Sequence, residues 1–286
     1  MKRVAVVGPG AVGTTTAAVV QRAGVELVLC GRTPHERLVV EREGADAEVV
    51  RGPVLTDPAA VPWRADVVLL AVKAHQTESA APFLIALCGP GTTVVVLQNG
   101  VEQRALVGPH APGATVLPAV VWVGAEVVGP GRVLVHAEPR LLLPDEPAAH
   151  AVAGLGPFEV VGDFVTEAWR KLASNAVAGL MVLTGRRAAM YHRDDVHGMA
   201  RALALEALAV ARAEGADLPD AVAGEIVDLF TALPPDAGSS ILVDRMAGRP
   251  LEWDARNGVV ARLGRTHGVP TPVSDVIVPL LAAASG

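Results

Sequence analysis

The chain has 286 residues, a formal net charge of −6 at pH 7 and 51% hydrophobic residues. This length suits one large domain or two ordinary ones, and the apolar fraction is enough for a sizeable core, so disorder is excluded as the main state. The acidic balance and the few aromatic residues (four Trp, four Phe and one Tyr) argue against nucleic acid as a partner. Because no apolar run reaches the about 18 residues of a membrane span, we expect no membrane partner either.

Two residue types are scarce enough to be informative. The two cysteines, Cys30 and Cys88, cannot form a disulfide framework or a metal cluster, which indicates a cytoplasmic protein without a bound metal. Only three of the 24 basic residues are lysines: Lys2, Lys73 and Lys171. Lysine can lose its proton in a protein whereas arginine cannot, so an interior lysine here is either a candidate for proton chemistry or retained by chance.

The chain opens with a strand pattern at 3–7, a glycine-rich turn, a helical pattern up to Gly24 and a second strand pattern at 26–30. A Gly-x-Gly-x-x-Gly turn within this order of elements is the fingerprint of a dinucleotide-binding site. Its first glycine permits a tight turn, its second lets the backbone approach a pyrophosphate, and its third allows close helix–strand packing. The predicted cofactor-binding residues are Gly8, Pro9, Gly10, Ala11, Val12 and Gly13. The alternative is a glycine-rich turn without a ligand.

The end of the second strand indicates which dinucleotide binds. A site for NAD usually places an acidic residue about 20 residues after the glycines, where it binds the ribose hydroxyls. Here the strand ends in Cys30-Gly31-Arg32-Thr33, without an acid. Arg32 is suited to bind a 2′-phosphate, so the sequence predicts NADPH rather than NADH. The alternative is that Arg32 is a solvated loop residue.

Further strand patterns alternate with a helical stretch at 77–87; they lie at 49–54, 66–72, 92–97 and 115–123. Such alternation predicts an α/β fold of the Rossmann type, with a doubly wound, mostly parallel sheet. Ligands bind at the carboxyl ends of the strands in such sheets. Lys73 and Asn99 follow two of these strands and are candidates for lining the cofactor site, although each also suits a turn.

The pattern changes in the second half of the chain. Short strands punctuated by glycine, at 132–136 and 140–143 around a turn at Gly129–Gly131, give way to helical patterns after about residue 163. The predicted helices lie at 166–183, 196–214, 221–233, 239–247 and 254–266. We therefore predict an NADP-binding domain over 1–162 and an all-helical substrate and catalytic domain over 163–286. The apolar runs 203–210 and 276–281 suit either a homodimer surface or core.

One helical face carries groups that suit a small ligand. Lys171, Asn175 and Gly179 lie four residues apart, so the first two can address two atoms of one molecule or can form an exposed polar stripe. Ser239 or Ser240 suits a helix cap, and Glu252 suits a helix N-terminus.

In combination these motifs resemble the ketopantoate reductase (2-dehydropantoate 2-reductase) family, and the resemblance runs from residue 1 to about residue 280. The least specific motif is the glycine-rich turn; the more specific ones are Trp-Arg-Lys-Leu-x-x-Asn at 169–175 and Glu-x-Asp-x-x-Asn-Gly at 252–258. The segments that carry the resemblance also include 72–76, 98–102 and 239–240. All three asparagines of the chain and two of its three lysines fall inside these motifs.

The resemblance implies a Rossmann-type domain, an all-helical domain and a cleft between them. It implies NADPH-dependent reduction of a 2-keto acid to a 2-hydroxy acid, the reaction of pantothenate biosynthesis, with Lys171 as the general acid. Asn175, Ser240 and Glu252 match residues that contact or orient the substrate, Glu252 being grouped with Lys171 as catalytic. Lys73 and Asn99 match residues beside the nicotinamide and the substrate.

One position departs from the family pattern. The family's helix usually carries a second Asn and a Pro where this chain has Gly179 and Leu180, so a polar group is missing and the keto acid is either 2-dehydropantoate or a related small one. Two alternatives therefore stay open. One is a related NADP-dependent dehydrogenase of 2-keto or 3-hydroxy acids, and the other is a dinucleotide-binding sensor without catalysis.

Overall fold

The structure, a computed structural model, describes residues 1–285. The chain forms two compact units. The first comprises Met1–Gln98 and Glu102–Phe164, and the second comprises Asn99–Val101 and the chain from Val165 onward. The tripeptide Asn99–Val101 thus groups with residues that are distant in the sequence.

The first unit contains two β-sheets. Its strands, within the described chain, are β1 (Arg3–Val7), β2 (Glu26–Cys30), β3 (Arg37–Arg42), β4 (Glu48–Arg51), β5 (Val54–Leu55), β6 (Val67–Leu70), β7 (Thr93–Val96), β8 (Thr115–Pro118), β9 (Val120–Gly129), β10 (Arg132–Pro144) and β11 (Phe158–Val161). Its α-helices are α1 (Ala11–Arg22), α2 (Thr77–Leu87), α3 (Gln103–Val107) and α4 (Pro147–Ala153). Six strands form a parallel sheet in the order β5-β2-β1-β6-β7-β8, which confirms the predicted α/β fold. The other sheet has the order β11-β10-β3-β4, with β9 antiparallel to β10.

Both faces of the parallel sheet are covered. Successive side chains of a strand point to opposite faces, and in β1 Val4 and Val6 join the core around α1 and the second sheet, whereas Ala5 and Val7 join the core around α2. A strand buried on both faces is apolar throughout rather than alternating. This explains why the first strand was recognisable from its sequence.

Two of the predicted strands are wrong in their extent. The segment 49–54 contains β4 and β5, and the segment 115–123 contains β8 and β9; in both cases the two strands belong to different sheets. Pro53 lies between β4 and β5 and lacks the N–H that would continue a ladder. Hydropathy alone does not show that an apolar run passes from one sheet to the next.

The second sheet was the least predictable part of the first unit. β3 and α4 were not predicted, and the segments 132–136 and 140–143 form a single strand of 13 residues, β10. Its pairing with β9 shifts in register between Val135 and Ala137 and again between Ala137 and Arg140. These irregularities break the alternation that marks a strand. The predicted turn at Gly129–Gly131 is confirmed between β9 and β10.

The second unit is helical, as predicted. Its α-helices, within the described residues, are α5 (Phe164–Thr184), α6 (Asp194–Ala213), α7 (Ala221–Thr231), α8 (Ser240–Met246), α9 (Val259–His267) and α10 (Pro272–Ala284). The predicted helix at 254–266 begins as a π-helical turn, Asp254–Gly258, and α10 was not predicted as a helix. No described helix combines the length and the apolar composition that a membrane crossing requires.

The two apolar runs that suited either a homodimer surface or core differ in their burial. In the run 203–210, Leu203, Leu208 and Val210 are buried in the core of the second unit. In the run 276–281, Ile277 and Leu281 are buried, but the other face of α10 remains accessible to solvent. The first run is therefore core, and only the second contributes exposed apolar surface.

The start of α10 is tied to α6 by a buried carboxylate. Glu206 accepts hydrogen bonds from the backbone N–H of Val273 at 2.6 Å and from that of Ser274 at 2.8 Å, and the Ser274 hydroxyl donates to it at 2.7 Å. The first amides of a helix have no acceptor within the helix, and the positive end of the helix dipole favours an anion there. Glu206 therefore holds two helices together and satisfies the terminus of one of them.

We predict that Glu206→Gln lowers the free energy of unfolding by about 1–3 kcal/mol, because an NH₂ group then faces buried N–H donors. Thermal and urea unfolding followed by circular dichroism measure the change. The control is Glu225→Gln, which breaks the ion pair between Glu225 and Arg170. The Glu225 side chain is 60% exposed, so this loss should cost less than about 1 kcal/mol. Equal losses in the two variants would contradict the capping role of Glu206.

Candidate functional site

The glycine-rich turn between β1 and α1 is tight at two of its glycines. Gly8 has φ +90°, and a Cβ there would lie 2.6 Å from Val72 Cγ1. A Cβ on Gly13 would lie 2.3 Å from the carbonyl oxygen of Gly8. Neither distance is physically accessible, so both positions require glycine for the packing of this turn.

The second glycine of the motif, Gly10, faces open space. A Cβ on Gly10 would meet no atom within 4 Å, and the residue is exposed. The first hydrogen bond into α1 runs from Thr14 N–H to the Gly10 carbonyl at 2.9 Å, so the amides of Ala11, Val12 and Gly13 precede the helical ladder. Amides of this kind at the positive end of a helix bind phosphate. The turn as built therefore fits the pyrophosphate of a dinucleotide.

The end of β2 lies against this turn. Gly8 N–H donates to the Cys30 carbonyl at 2.9 Å, and a Cβ on Gly31 would lie 2.9 Å from Pro9 Cδ. Arg32 follows directly and is exposed. Within residues 1–285, no hydrogen bond or ion pair holds its guanidinium. A cation beside a phosphate-binding turn fits a second phosphate of the same ligand.

Lys73 stands after β6, at the same edge of the parallel sheet. It is half-buried, and its backbone N–H donates to Gln76 Oε1 at 3.2 Å at the start of a short 3₁₀ turn. Gly8 packs against Val72, so the residue next to Lys73 touches the glycine-rich turn. The three predicted cofactor-binding segments of the first unit, namely the glycine-rich turn, Arg32 and Lys73, therefore converge on one edge of the sheet.

The remaining predicted residues lie in the second unit and form one hydrogen-bonded chain. Asn99 Nδ2 donates to Glu252 Oε2 at 3.0 Å, and Asn175 Nδ2 donates to Asn99 Oδ1 at 3.2 Å. Arg256 Nη2 donates to Asn175 Oδ1 at 3.0 Å and to Ser240 Oγ at 3.2 Å. Four side chains predicted from separate sequence motifs are thus joined through a fifth, Arg256. The resulting series runs from Glu252 to Ser240, and we call it the amide chain.

The amide chain is partly buried and partly open. Asn175 and Arg256 are buried, Asn99 and Glu252 are half-buried, and Ser240 is exposed. A primary amide has two N–H groups and a guanidinium has five. Some N–H groups of the amide chain therefore make no hydrogen bond within it. Such groups suit a small polar ligand.

Lys171 precedes Asn175 by one turn of α5 and shares its face. Burial of this side chain and, to a smaller extent, the nearby Arg256 guanidinium together lower the pKa of Lys171 to about 7. Near neutral pH, both the ammonium and the amine are therefore populated. An amine of this kind suits proton transfer at neutral pH.

A π-helical turn presents Arg256. The turn Asp254–Gly258 lies between Glu252 and α9. A Cβ on Gly258 would lie 2.4 Å from Asp254 Oδ1, so this glycine makes room for the Asp254 carboxylate. That carboxylate accepts from Arg262 Nη1 at 2.9 Å. Single π-helical turns occur frequently at functional sites.

The departure at Gly179 has a different consequence from the one expected. A Cβ on Gly179 would lie 3.0 Å from Asn257 Oδ1 and 3.3 Å from Leu281 Cδ1. Asn257 is buried, and its Nδ2 donates to the Ala176 carbonyl at 3.0 Å. The amide of Asn257 therefore occupies the place beside Gly179 where a polar group was expected to be missing.

Sequence reasoning missed Arg256. It lies within a quoted motif, but an arginine in a helical segment suggests a solvated surface, and no local signal indicates burial. For the serine pair the capping prediction is confirmed: Ser239 Oγ accepts from Leu242 N–H at 3.4 Å, which leaves the neighbouring Ser240 to the amide chain.

Comparison with known proteins covers both units. Residues 4–146 match the family model "Ketopantoate reductase PanE/ApbA", and residues 163–285 match "Ketopantoate reductase PanE/ApbA C terminal". The chain is 53% identical to the 2-dehydropantoate 2-reductase of Mycobacterium tuberculosis, over 99% of this chain and 97% of that protein. It is 41% identical to the 2-dehydropantoate 2-reductase of Caulobacter vibrioides, over the whole of both chains.

A solved structure supports the same relationship. The dimeric ketopantoate reductase from Staphylococcus aureus superposes with a TM-score of 0.89 at 27% identity, over 99% of this chain and 98% of that one. Matches of both family models and a relative above half identity over nearly the full length establish the relationship. The chain belongs to the ketopantoate reductase family.

Proposed function

We propose that this chain is an NADPH-dependent 2-dehydropantoate 2-reductase that converts a 2-keto acid to the 2-hydroxy acid. The observation that carries the proposal is the amide chain beside Lys171, because it joins the predicted substrate-binding residues into one hydrogen-bonded set. Membership of the family and the names of the relatives from M. tuberculosis and C. vibrioides support it. The division into a cofactor domain at 1–162 and a substrate domain at 163–286 is part of the proposal.

The cofactor residues are those of the glycine-rich turn together with Arg32 and Lys73. The open backbone at Gly10 and the amides that follow it would hold the pyrophosphate, and the Arg32 guanidinium would hold the 2′-phosphate. Asn99 joins the amide chain and would lie beside the nicotinamide. Bound NADPH supplies the hydride that reduces the keto carbon.

Lys171 is proposed as the general acid. As the keto carbon gains hydride, negative charge develops on the carbonyl oxygen, and the Lys171 ammonium stabilises this charge and donates its proton. A pKa of about 7 matches the donor to neutral pH, where general acid catalysis is typically worth about 10²–10⁴ in rate. Glu252 orients Asn99, which frees the second N–H of each amide for the substrate.

The charges around Lys171 favour an anionic substrate. Lys171 and Arg256 supply two cationic groups and Glu252 supplies an anion, while the second nearby carboxylate, Asp244, is paired with Arg249. A 2-keto acid brings the second negative charge as its carboxylate. The exposed hydroxyl of Ser240 can donate to this carboxylate while its oxygen accepts from Arg256.

We extend two further expectations to the intact protein as part of this proposal: a cytoplasmic location and a homodimer. Both described cysteines are free and buried, and the S. aureus relative is dimeric.

The function is tested with purified protein, NADPH and a panel of small keto acids that includes 2-dehydropantoate. We predict that Lys171→Met lowers kcat by at least about 100-fold and leaves the Kd for NADPH nearly unchanged, because the proton donor is lost but the cofactor residues remain. NADPH consumption and fluorescence titration measure the two quantities. A variant with near-normal turnover would refute the assignment of Lys171, and NADPH binding without turnover of any keto acid would favour a sensor.

The pKa of Lys171 gives a second prediction. Only protonated Lys171 can donate, so kcat/KM for keto acid reduction should fall as the pH rises through about 7. With only three lysines in the chain, ¹³C-labelling of lysine Cε resolves the group directly. The resonance that disappears in Lys171→Met should titrate near the same pH. Titration at the ordinary lysine value of about 10.4 would contradict the role of burial.

Arg32→Ala tests the choice of cofactor. Loss of charge-assisted hydrogen bonds to the 2′-phosphate should raise the Kd for NADPH about 10- to 100-fold, whereas the Kd for NADH should change by less than about 2-fold. The matched control is Arg132→Ala, an exposed arginine of the second sheet that pairs with Glu41 at 2.6 Å; it should alter neither affinity. Equal losses for both cofactors in Arg32→Ala would remove the 2′-phosphate role.

A further inference from the structure

Arg256 is an unusual group for the interior of a helical unit. Only 4% of it is exposed. Its Nη2 donates to Asn175 Oδ1 and Ser240 Oγ, while Nε and Nη1 find no acceptor among the described residues. Both acceptors are neutral oxygens, while the carboxylates of Glu252 and Asp244 attract the guanidinium electrostatically. Burying a guanidinium with two of its three nitrogens unbonded is costly, so stability does not explain its placement.

The charged groups near Arg256 come from three elements. Lys171 lies on α5, Asp244 lies on α8, and Glu252 precedes the π-helical turn. Asp244 is already engaged, since it pairs with Arg249 Nε at 2.8 Å. The Glu252 carboxylate accepts from Asn99. Both carboxylates that attract the guanidinium thus also serve other partners, and its Nε and Nη1 remain without an acceptor among the described residues.

Arg256 also sets the direction of the amide chain. An amide presents an acceptor on one side and donors on the other. Because a cation donates at one end and the Glu252 anion accepts at the other, both asparagine oxygens point towards Arg256 and both NH₂ groups point towards Glu252. Without Arg256, Asn175 Oδ1 loses its donor and the amide is free to rotate.

We propose that Arg256 is a positioning residue of the substrate site: it holds Asn175 and Ser240 in the orientation that receives the substrate carboxylate, and so determines preference for a keto acid over its neutral analogue. The proposal rests on the proposed reductase function. A cation at this position suits the carboxylate electrostatically, because arginine cannot lose its proton. The lowered pKa of Lys171, to which Arg256 contributes, agrees with this proximity.

The experiment compares a 2-keto acid with its methyl ester, which keeps the reacting carbonyl but lacks the negative charge. We expect Arg256→Met to raise KM for the acid at least about 10-fold, to leave KM for the ester within about 2-fold, and to leave the Kd for NADPH unchanged. Arg256→Lys retains the charge and should recover part of the preference. Arg245→Met, which removes an exposed arginine of α8 that donates to the Ala284 carbonyl, should leave all constants unchanged.

A second measurement separates positioning from folding. Ser240 is exposed, so Ser240→Ala is expected to fold even if Arg256→Met does not. If Arg256 acts through Ser240, the double variant Arg256→Lys, Ser240→Ala raises KM by less than the product of the single effects. The proposal is overturned if the two substitutions act independently, so that the double variant raises KM by the full product. It is also overturned if a folded Arg256→Met variant keeps the ratio of KM for the acid to KM for the ester. Absence of keto acid turnover in the unmodified protein would instead reject the reductase function.

Discussion

The candidate site depends on a buried guanidinium that donates from one nitrogen to two elements of the helical unit. Arg256 cannot lose its proton and has little access to water. Its Nη2 donates to one polar atom of α5, Asn175 Oδ1, and to one of α8, Ser240 Oγ. Because this donor stands at one end of the amide chain and a carboxylate at the other, the polarity of every group between them is defined. Residues far apart in the sequence, such as Asn99 and Glu252 at a separation of 153 positions, acquire a common geometry in this way.

In the first unit the corresponding constraint is steric. Gly8 and Gly13 have no room for a side chain, whereas Gly10 faces space that a ligand can enter. The turn thus combines close packing against the protein with an accessible backbone on its outer side. Since the parallel strands of this sheet end at one edge, Arg32 and Lys73 are brought beside the same turn. A helix terminus with accessible amides and two basic side chains beside it follow from this topology.

Different parts of the prediction succeeded for different physical reasons. Strands buried on both faces, such as β1, and long helices with one apolar face, such as α5 and α6, carry their signal locally and were recognised. The segments 49–54 and 115–123 were wrong in extent because an apolar run looks the same whether or not it crosses between sheets. β10 was divided because irregular pairing interrupts its alternation. The site residues chosen from motifs converge, but Arg256 was missed because burial of an arginine is decided by its neighbours.

The sequence by itself determined the fold class, the glycine-rich turn in its context, and the identity of the side chains that form most of the amide chain. These features depend on local backbone preference and on periodic burial, which a linear pattern records. Only the tertiary structure decided that Asn99 groups with the helical unit, that Asn257 fills the place beside Gly179, and that a guanidinium lies buried between Asn175 and Ser240. Each of these depends on contacts between distant segments, and such contacts have no counterpart in the local order of residues.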